Sequence, residues 1–367
     1  MAFKSAHYVF EGEIKAEQPL ATCSAALKEA EERVRGKNSP TPVPFINTAA
    51  GRRLMFPATG IRGKLRRALR DVLRENLILR TGNEKPLSLN EHYLLTLGGV
   101  KGGEATDKSS VSQEAEWRKN NVLLSLFGAG DAGFLGMVHG RLAVGNAICE
   151  SVSSPVVFSG ARTDDLYRDR GQIEFLSAAD VEALIAQAEG NRDASAIKGQ
   201  IRALDKERKA ARAEKNADRV TQLTQEIERL EAEVKGVKEE AGVKNSVGMP
   251  LAGWEAIPAG AVMLQRFILN NASFEELGAL LAALDQFSLM PTLGAHFAAG
   301  CGLVSARWEV FKVSPGVGKV SQGVLVLEPF SGALTVEAPQ GSELFLARKA
   351  FQEYLGSEHF NLSVPSV

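Results

Sequence analysis

The spacing of apolar residues predicts the first strand and the first helix. Apolar and polar residues alternate loosely over 3–14, which is typical of a β-strand. From residue 59 to 77, apolar residues recur at steps of three and four, which predicts a helix that buries one face. This apolar stripe consists of Ile61, Leu65, Leu69, Val72, Leu73 and Leu77.

The connections around that helix have few regular patterns. Prolines at 40, 42 and 44 argue against a helix there, so we expect an extended, irregular segment up to about residue 56. The glycine-rich, polar stretch 98–121 predicts an exposed loop that ends near Trp117. Residues 134–149 predict a strand pair or a bent strand, and 154–158 continue the sheet.

The later core segments repeat the same order of elements. We predict a strand over 260–269, a helix over 273–287 with Ser273 as its N-cap, strands over 303–313 and 320–328, and a terminal helix over 343–355. The order strand, helix, strands, strand, helix, strand is the βαββαβ order of a ferredoxin-like fold. The predicted class is therefore α+β, with long inserted loops.

A change of composition marks an insertion at 191–244. This segment has 24 charged residues in 54, with no aromatic residue and no proline. Val220, Leu223, Ile227 and Leu230 begin a coiled-coil seam, and an earlier seam around Ile197 is out of phase with it. We therefore predict an antiparallel helical hairpin with complementary charge on its two helices, inserted into a palm formed by 1–190 and 245–367.

Composition excludes several classes of protein. The chain has 367 residues, 44% of them hydrophobic, and a formal charge of −1. Its cysteines at 23, 149 and 301 are too far apart for a zinc ribbon or a disulfide framework. The N-terminal region resembles no signal peptide and no apolar run is long enough to span a membrane, so we expect a cytoplasmic protein with no membrane partner.

One segment is strongly basic although the total charge of the chain is near zero. Residues 52–80 hold nine basic and two acidic side chains, or +7, which leaves −8 for the remainder. Such a patch on an acidic protein is typical of nucleic-acid binding. Four arginines recur at every fourth residue, and none of them has an acidic residue four positions away, as helix faces in solvent usually do. A helix face that is simply solvated remains the alternative interpretation. These arginines are Arg62, Arg66, Arg70 and Arg74.

The remaining motifs argue against a nucleotide or metal enzyme. Gly128, Gly130 and Gly133 match G-x-G-x-x-G, but glycine-rich, strand-like sequence follows where a dinucleotide site needs a helix. The five histidines show no metal-ligand spacing, and we predict neither a metal nor a cofactor. His296 lies in the glycine-rich sequence LGAHFAAGCG, whose amides could bind a phosphate while the imidazole accepts a proton; a structural histidine in a tight loop is the alternative.

Five short segments occur in an order that resembles the RAMP superfamily of CRISPR systems. They are 56–69, 126–128, 140–147, 257–269 and 293–310. The chain is most similar to the backbone subunit that coats guide RNA in multi-subunit effector complexes, and within it to the type IV version. The resemblance implies an RNA-recognition-like palm with finger and thumb elements. It also implies copies that polymerise along one guide RNA, beside other effector subunits, and a target nucleic acid that pairs with the guide.

The resemblance also gives the basic segment a role. The start of the helix would place backbone amides and cations against RNA phosphates, independently of RNA sequence. The predicted RNA-binding residues are Arg52, Arg53, Thr59, Gly60, Arg62, Gly63, Lys64, Arg66, Arg70, His296 and Gly300.

Three functions remain open at this stage. In target-cleaving relatives an aspartate precedes the motif at 56–69, but this chain has no aspartate before Asp71, so we predict a non-catalytic subunit. The alternative is a metal-independent endoribonuclease that processes guide-RNA precursors with His296 and the glycine-rich loop. A third possibility is a scaffold built around the helical hairpin, which would have no use for the basic helix.

Overall fold

The computed structural model divides the chain into two units. The described residues are 6–22, 25–35, 39–82, 89–98, 111–129, 138–151, 154–159, 174–214, 216–242, 253–360 and 362. The first unit comprises 1–159 with 252–367, and the second comprises 160–251.

An antiparallel sheet forms the centre of the first unit. Its strand order is β12-β11-β10-β1-β9-β6-β4-β3, and β5 also pairs with β9. The strands are β1 (Ala6–Ala16), β2 (Leu20–Ala21), β3 (Phe45–Thr48), β4 (Gly51–Phe56), β5 (Leu142–Val144), β6 (Ala147–Cys149), β7 (Val156–Phe158), β8 (Trp254–Ile257), β9 (Val262–Ala272), β10 (Val304–Ser314), β11 (Gly318–Leu327) and β12 (Leu334–Glu337). The order β10-β1-β9 followed by β5 and β6 is that of a ferredoxin-like sheet, so the predicted α+β class is confirmed.

Two helices, α2 and α8, bury their apolar faces in the core beside this sheet. The helices of the unit are α1 (Ala25–Arg35), α2 (Ala58–Thr81), α3 (Leu89–Thr96), α4 (Val111–Asn120), α5 (Val122–Phe127), α8 (Phe274–Ser288) and α9 (Glu343–Gly356). The predicted stripe of α2 is confirmed: Ile61, Leu65, Leu69 and Leu73 are buried. Ser273 caps α8 in a capping box with Glu276, as its sequence predicts.

Four local predictions were wrong. Residues 45–56 form a β-hairpin, β3 with β4, because the three prolines all precede it and Gly51 at φ +104° permits the turn. Helices α1 and α4 occupy segments predicted to be irregular. Strand β7 joins β2 and β8 in a separate three-stranded sheet. By contrast, the argument against a dinucleotide site is supported, because residues 122–127 form helix α5, capped by Asn121, where such a fold needs a strand before its glycines.

The second unit contains the predicted antiparallel helical hairpin. Its helices are α6 (Ala178–Ala213) and α7 (Ala217–Glu240), so the first begins before the predicted boundary at 191. Gly190 of α6 lies against Ala241, while Glu207 reaches Arg219 at the other end, which requires opposite directions. Leu223, Ile227, Leu230 and Val234 form the buried seam of α7.

Charge contributes little to the pairing of these two helices. Within the described part of the hairpin, Arg219–Glu207 at 3.5 Å is the ion pair that crosses from one helix to the other. The pairs Arg208–Asp205 and Arg229–Glu226 lie within single helices. Because exposed ion pairs contribute less than about 1 kcal/mol, the apolar seam holds the helices together. None of the helices in the described ranges is long and apolar enough to cross a membrane.

Candidate nucleic-acid interface

The first turn of α2 offers fewer backbone donors than its sequence predicts. The amide of Ala58 donates to Oδ1 of Asn146 at 2.8 Å, and the amide of Gly60 donates to the carbonyl of Pro57 at 3.0 Å. The amides of Arg62 and Gly63 lie inside the helix, where they donate to carbonyls four residues earlier. The predicted row of unpaired amides is therefore wrong, although the amide of Thr59 has no partner among the described residues.

The ring of Phe56 joins this turn to the loop that carries His296. A Cβ on Gly60 would lie 2.7 Å from one edge of the ring, and a Cβ on Gly294 would lie 3.3 Å from the other. Glycine at both positions lets two backbone segments approach the same aromatic side chain. Lys64 adds a second link, because its Nζ donates to Oγ1 of Thr292 at 3.3 Å. The structure thus brings the start of α2 beside the loop 289–303.

Arg66 has a structural position and not an exposed one. It is 4% exposed, and its guanidinium donates to the carbonyls of Leu94, Leu95 and Gly128 at 2.6–3.1 Å. These carbonyls belong to the ends of α3 and α5, where helices leave acceptors unsatisfied. Burial, with a smaller contribution from Arg62, lowers the pKa of Arg66 to about 10, so it remains charged at neutral pH. The prediction that Arg66 lines an RNA groove is wrong, because its donors are already used within the fold.

Other predicted cations are partly used within the fold. Arg62 is half-buried and donates to the carbonyl of Phe127. Arg70 pairs with Asp71 at 2.7 Å, with 19% of its side chain exposed. Lys64 lies 5.9 Å from the ring centre of Phe287, and burial lowers its pKa.

The predicted RNA-binding residues do not include Arg67 and Arg74, two exposed cations of α2. Both are exposed, and neither has an ion pair or hydrogen bond within the described chain. Helical geometry places them opposite the apolar stripe, on the same face as Gly60 and Gly63, so the 3.6-residue period could have found them. Arg52 on β4 is also exposed and lies 3.8 Å above the ring of Phe45, while Arg53 is half-buried.

The loop 289–303 presents His296 at the surface. His296 has φ +60° and Gly300 has φ +77°, and a short 3₁₀ turn, Phe297–Ala299, lies between them. Hydrogen bonds from Ala295 to the carbonyl of Ala21 and from Gly302 to that of Pro19 tie the loop to β2. The imidazole of His296 stacks on the indole of Trp254, with centroids 4.0 Å apart and planes 9° apart.

No local sequence signal identifies Trp254 as a neighbour of His296, because the two residues are 42 positions apart. The contact is made by folding alone: β8 places the indole beside a loop that follows α8. Sequence reasoning therefore found the exposed histidine and missed the aromatic ring that supports it.

The open face of the sheet is less suited to phosphate. A depression of about 720 Å³ there is lined by Glu11, Glu13 and Glu309, together with Arg266 and Arg307. Glu11 lies directly opposite Glu309 on the neighbouring strand. Carboxylates at the centre of the face repel a polyanion, which favours the α2 side. Among the described residues, no group of three or more histidine, cysteine or acidic side chains could hold a metal ion.

Comparison with known proteins finds structural similarities at low sequence identity. The chain matches no protein-family model and no curated protein. It is similar to a chain of a structure described as "Type IV-B CRISPR Complex", with 13% identity, a TM-score of 0.42, and coverage of 85% of this chain and 91% of the other. It is also similar to the Csm3 crystal structure from Methanopyrus kandleri, with 12% identity, a TM-score of 0.36, and coverage of 85% and 78%.

Proposed function

We propose that this protein is a non-catalytic RAMP-type subunit of a CRISPR effector complex that binds the phosphate backbone of a guide RNA. Copies of the subunit line up along the RNA beside other effector subunits and leave the bases to pair with a target. The observation that carries the proposal is the exposed pair Arg67 and Arg74 on the face of α2 that also carries Gly60 and Gly63. The start of this helix lies beside the loop of His296. Contacts to phosphate alone suit a subunit that must accept any guide sequence.

The salt dependence of RNA binding tests this proposal. Single-stranded RNA should bind with log K falling by about 0.7 per neutralised phosphate as log salt rises. The double variant Arg67→Ala with Arg74→Ala should flatten this slope by about 1.4 units, because two phosphate contacts are lost. Fluorescence anisotropy of labelled RNA between about 50 and 300 mM salt measures the slope, and RNA of uniform length should co-purify with the wild-type protein.

A matched variant on the other unit controls for net charge. Lys198→Ala with Arg202→Ala also removes two positive charges, here from exposed positions of α6. We expect this control to keep the wild-type slope. If both double variants flatten the slope of log K against log salt equally, or if neither flattens it, the assignment of the phosphate contacts to α2 is contradicted.

The geometry of His296 favours binding over RNA cleavage. A general base needs a group that orients it, and the imidazole of His296 has no hydrogen-bond partner among the described residues. Its ring plane instead packs against Trp254. Incubation of the protein with a guide precursor tests the alternative: specific cuts abolished by His296→Asn would favour the processing endoribonuclease.

A further inference from the structure

Three aromatic rings form a column in the first unit. Phe158 of β7 stacks near Trp254 of β8, with centroids 6.0 Å apart and planes 17° apart. The imidazole of His296 stacks on the same indole, with centroids 4.0 Å apart and planes 9° apart. Phe158 and Trp254 are paired residues in their two strands, so the strand register holds the first two rings. His296 is exposed at the outer end of the column.

The backbone holds His296 in an uncommon conformation. A non-glycine residue with a φ of +60° persists only where its surroundings fix it. Here the residue before it bridges to Ala21, and its own carbonyl accepts hydrogen bonds from the amides of Ala299 and Cys301. These contacts fix the backbone at His296, and the imidazole lies flat against the indole.

Part of the aromatic surface at this column is exposed to solvent. His296 is exposed, and the neighbouring Phe297 is 67% exposed. The indole Nε1 of Trp254 is buried and has no hydrogen-bond partner among the described groups, so the position of Trp254 is not explained by a polar contact of its own. A planar ring backed by a second ring is the surface on which nucleobases stack, and such stacking accepts any base.

The loop that carries His296 also lies beside the start of α2. Gly294, two residues before His296, packs against the same Phe56 ring as Gly60 at the start of α2. Lys64 and Thr292 connect the two segments at a second point. A nucleotide with its phosphate at α2 would therefore have its base close to the loop of His296.

We propose that His296, backed by Trp254 and Phe158, is a stacking surface for one unpaired nucleobase of the bound RNA. This inference rests on the proposed function and adds a base contact to a site otherwise built for phosphate. It makes His296 a binding residue through its ring face, with no proton transfer. Because stacking is tolerant of base identity, the contact is compatible with a variable guide sequence.

An RNA without bases separates stacking from phosphate binding. The probe is a short single-stranded RNA, and its comparison is an oligonucleotide of equal length in which every nucleotide is abasic, so that the number of phosphates is unchanged. The wild-type protein should prefer the intact RNA. In His296→Asn this preference should fall by about 5- to 150-fold, the equivalent of about 1–3 kcal/mol for one stacked base.

Two variants, each checked for folding, test the role of the ring. Asparagine tolerates the left-handed backbone conformation, so His296→Asn removes the ring with little backbone strain. His296→Phe retains a flat ring and should keep the preference for intact RNA. Thermal melting of both variants shows whether the protein remains folded.

The outcomes distinguish this inference from the proposed function. If the wild-type protein binds neither oligonucleotide, the proposed function fails and the inference fails with it. If it binds RNA with the expected salt dependence, but His296→Asn keeps the full preference for intact RNA, the stacking surface is wrong and the proposed function stands. Loss of the preference in His296→Asn together with its retention in His296→Phe supports the inference.

Discussion

Helices α2 and α6 each carry seven lysines and arginines, but they use them differently. Five of the seven in α2 donate hydrogen bonds to other protein groups: Arg62, Lys64, Arg66, Arg70 and Arg80. Among the described contacts of α6, Arg208 is the cation with such a partner, and that partner, Asp205, lies in the same helix. The number of charges in a sequence segment is therefore a poor measure of the charge offered to a ligand.

The neighbours of each helix explain the difference. Helix α2 packs against α3, α5 and α8, and the carbonyl ends of α3 and α5 point at Arg66. Helix α6 packs against α7 through small and apolar residues, which leaves most of its cations in solvent. Unsatisfied carbonyls at helix ends attract cationic donors wherever the fold brings the two together.

Replacing Arg66 should have the largest effect on stability. Arg66→Met removes the charged donor from three buried carbonyls, of which that of Leu94 still accepts from the amide of Gly98. Hydrogen bonds to charged groups contribute about 1.5–3 kcal/mol each, so loss of those to Leu95 and Gly128 should cost about 3–6 kcal/mol. Urea denaturation measures the loss. The matched variant Arg202→Met on α6 should change the free energy of unfolding by less than about 0.5 kcal/mol. Similar losses in both variants would contradict the comparison.

Removing a cap should have a smaller effect. Asn146→Ala takes away the side chain that accepts from the amide of Ala58, so we expect a loss of about 1 kcal/mol, as for other N-caps. Ser177→Ala removes the local cap of α6 and serves as the counterpart. Thermal or urea unfolding of the first unit should respond to Asn146→Ala and not to Ser177→Ala. A first unit that is insensitive to Asn146→Ala would show that this contact does not stabilise α2.

Deleting the second unit should have the smallest effect. Phe158 and Trp254 are paired across β7 and β8, so the chain leaves and re-enters the first unit at adjacent positions. Replacing 160–251 with a short Gly/Ser linker should therefore preserve folding of the first unit and co-purification of RNA. Circular dichroism and the ratio of absorbance at 260 and 280 nm provide the readouts. An insoluble product, or one without RNA, would show that the second unit is needed for the fold or for binding.

Much of the fold could be predicted because its signals are local or periodic. The stripe of α2 and the capping box of α8 involve residues three or four positions apart, and the seam of α7 repeats every seven. Hairpin β3–β4 and helix α4 were missed because glycine, proline and polar residues also occur in loops, and tertiary contacts decide between the two outcomes.

The candidate site was only partly predictable. The concentration of positive charge at 52–80 and the glycine-rich loop around His296 follow from the order of the residues alone. Folding places Arg66 against the carbonyls of Leu94, Leu95 and Gly128, and leaves Arg67 in solvent. It also places Trp254 against His296. The physical reason is that the partners of these side chains lie about 30 to 60 residues away, so their hydrogen bonds and stacking exist only once the chain has folded.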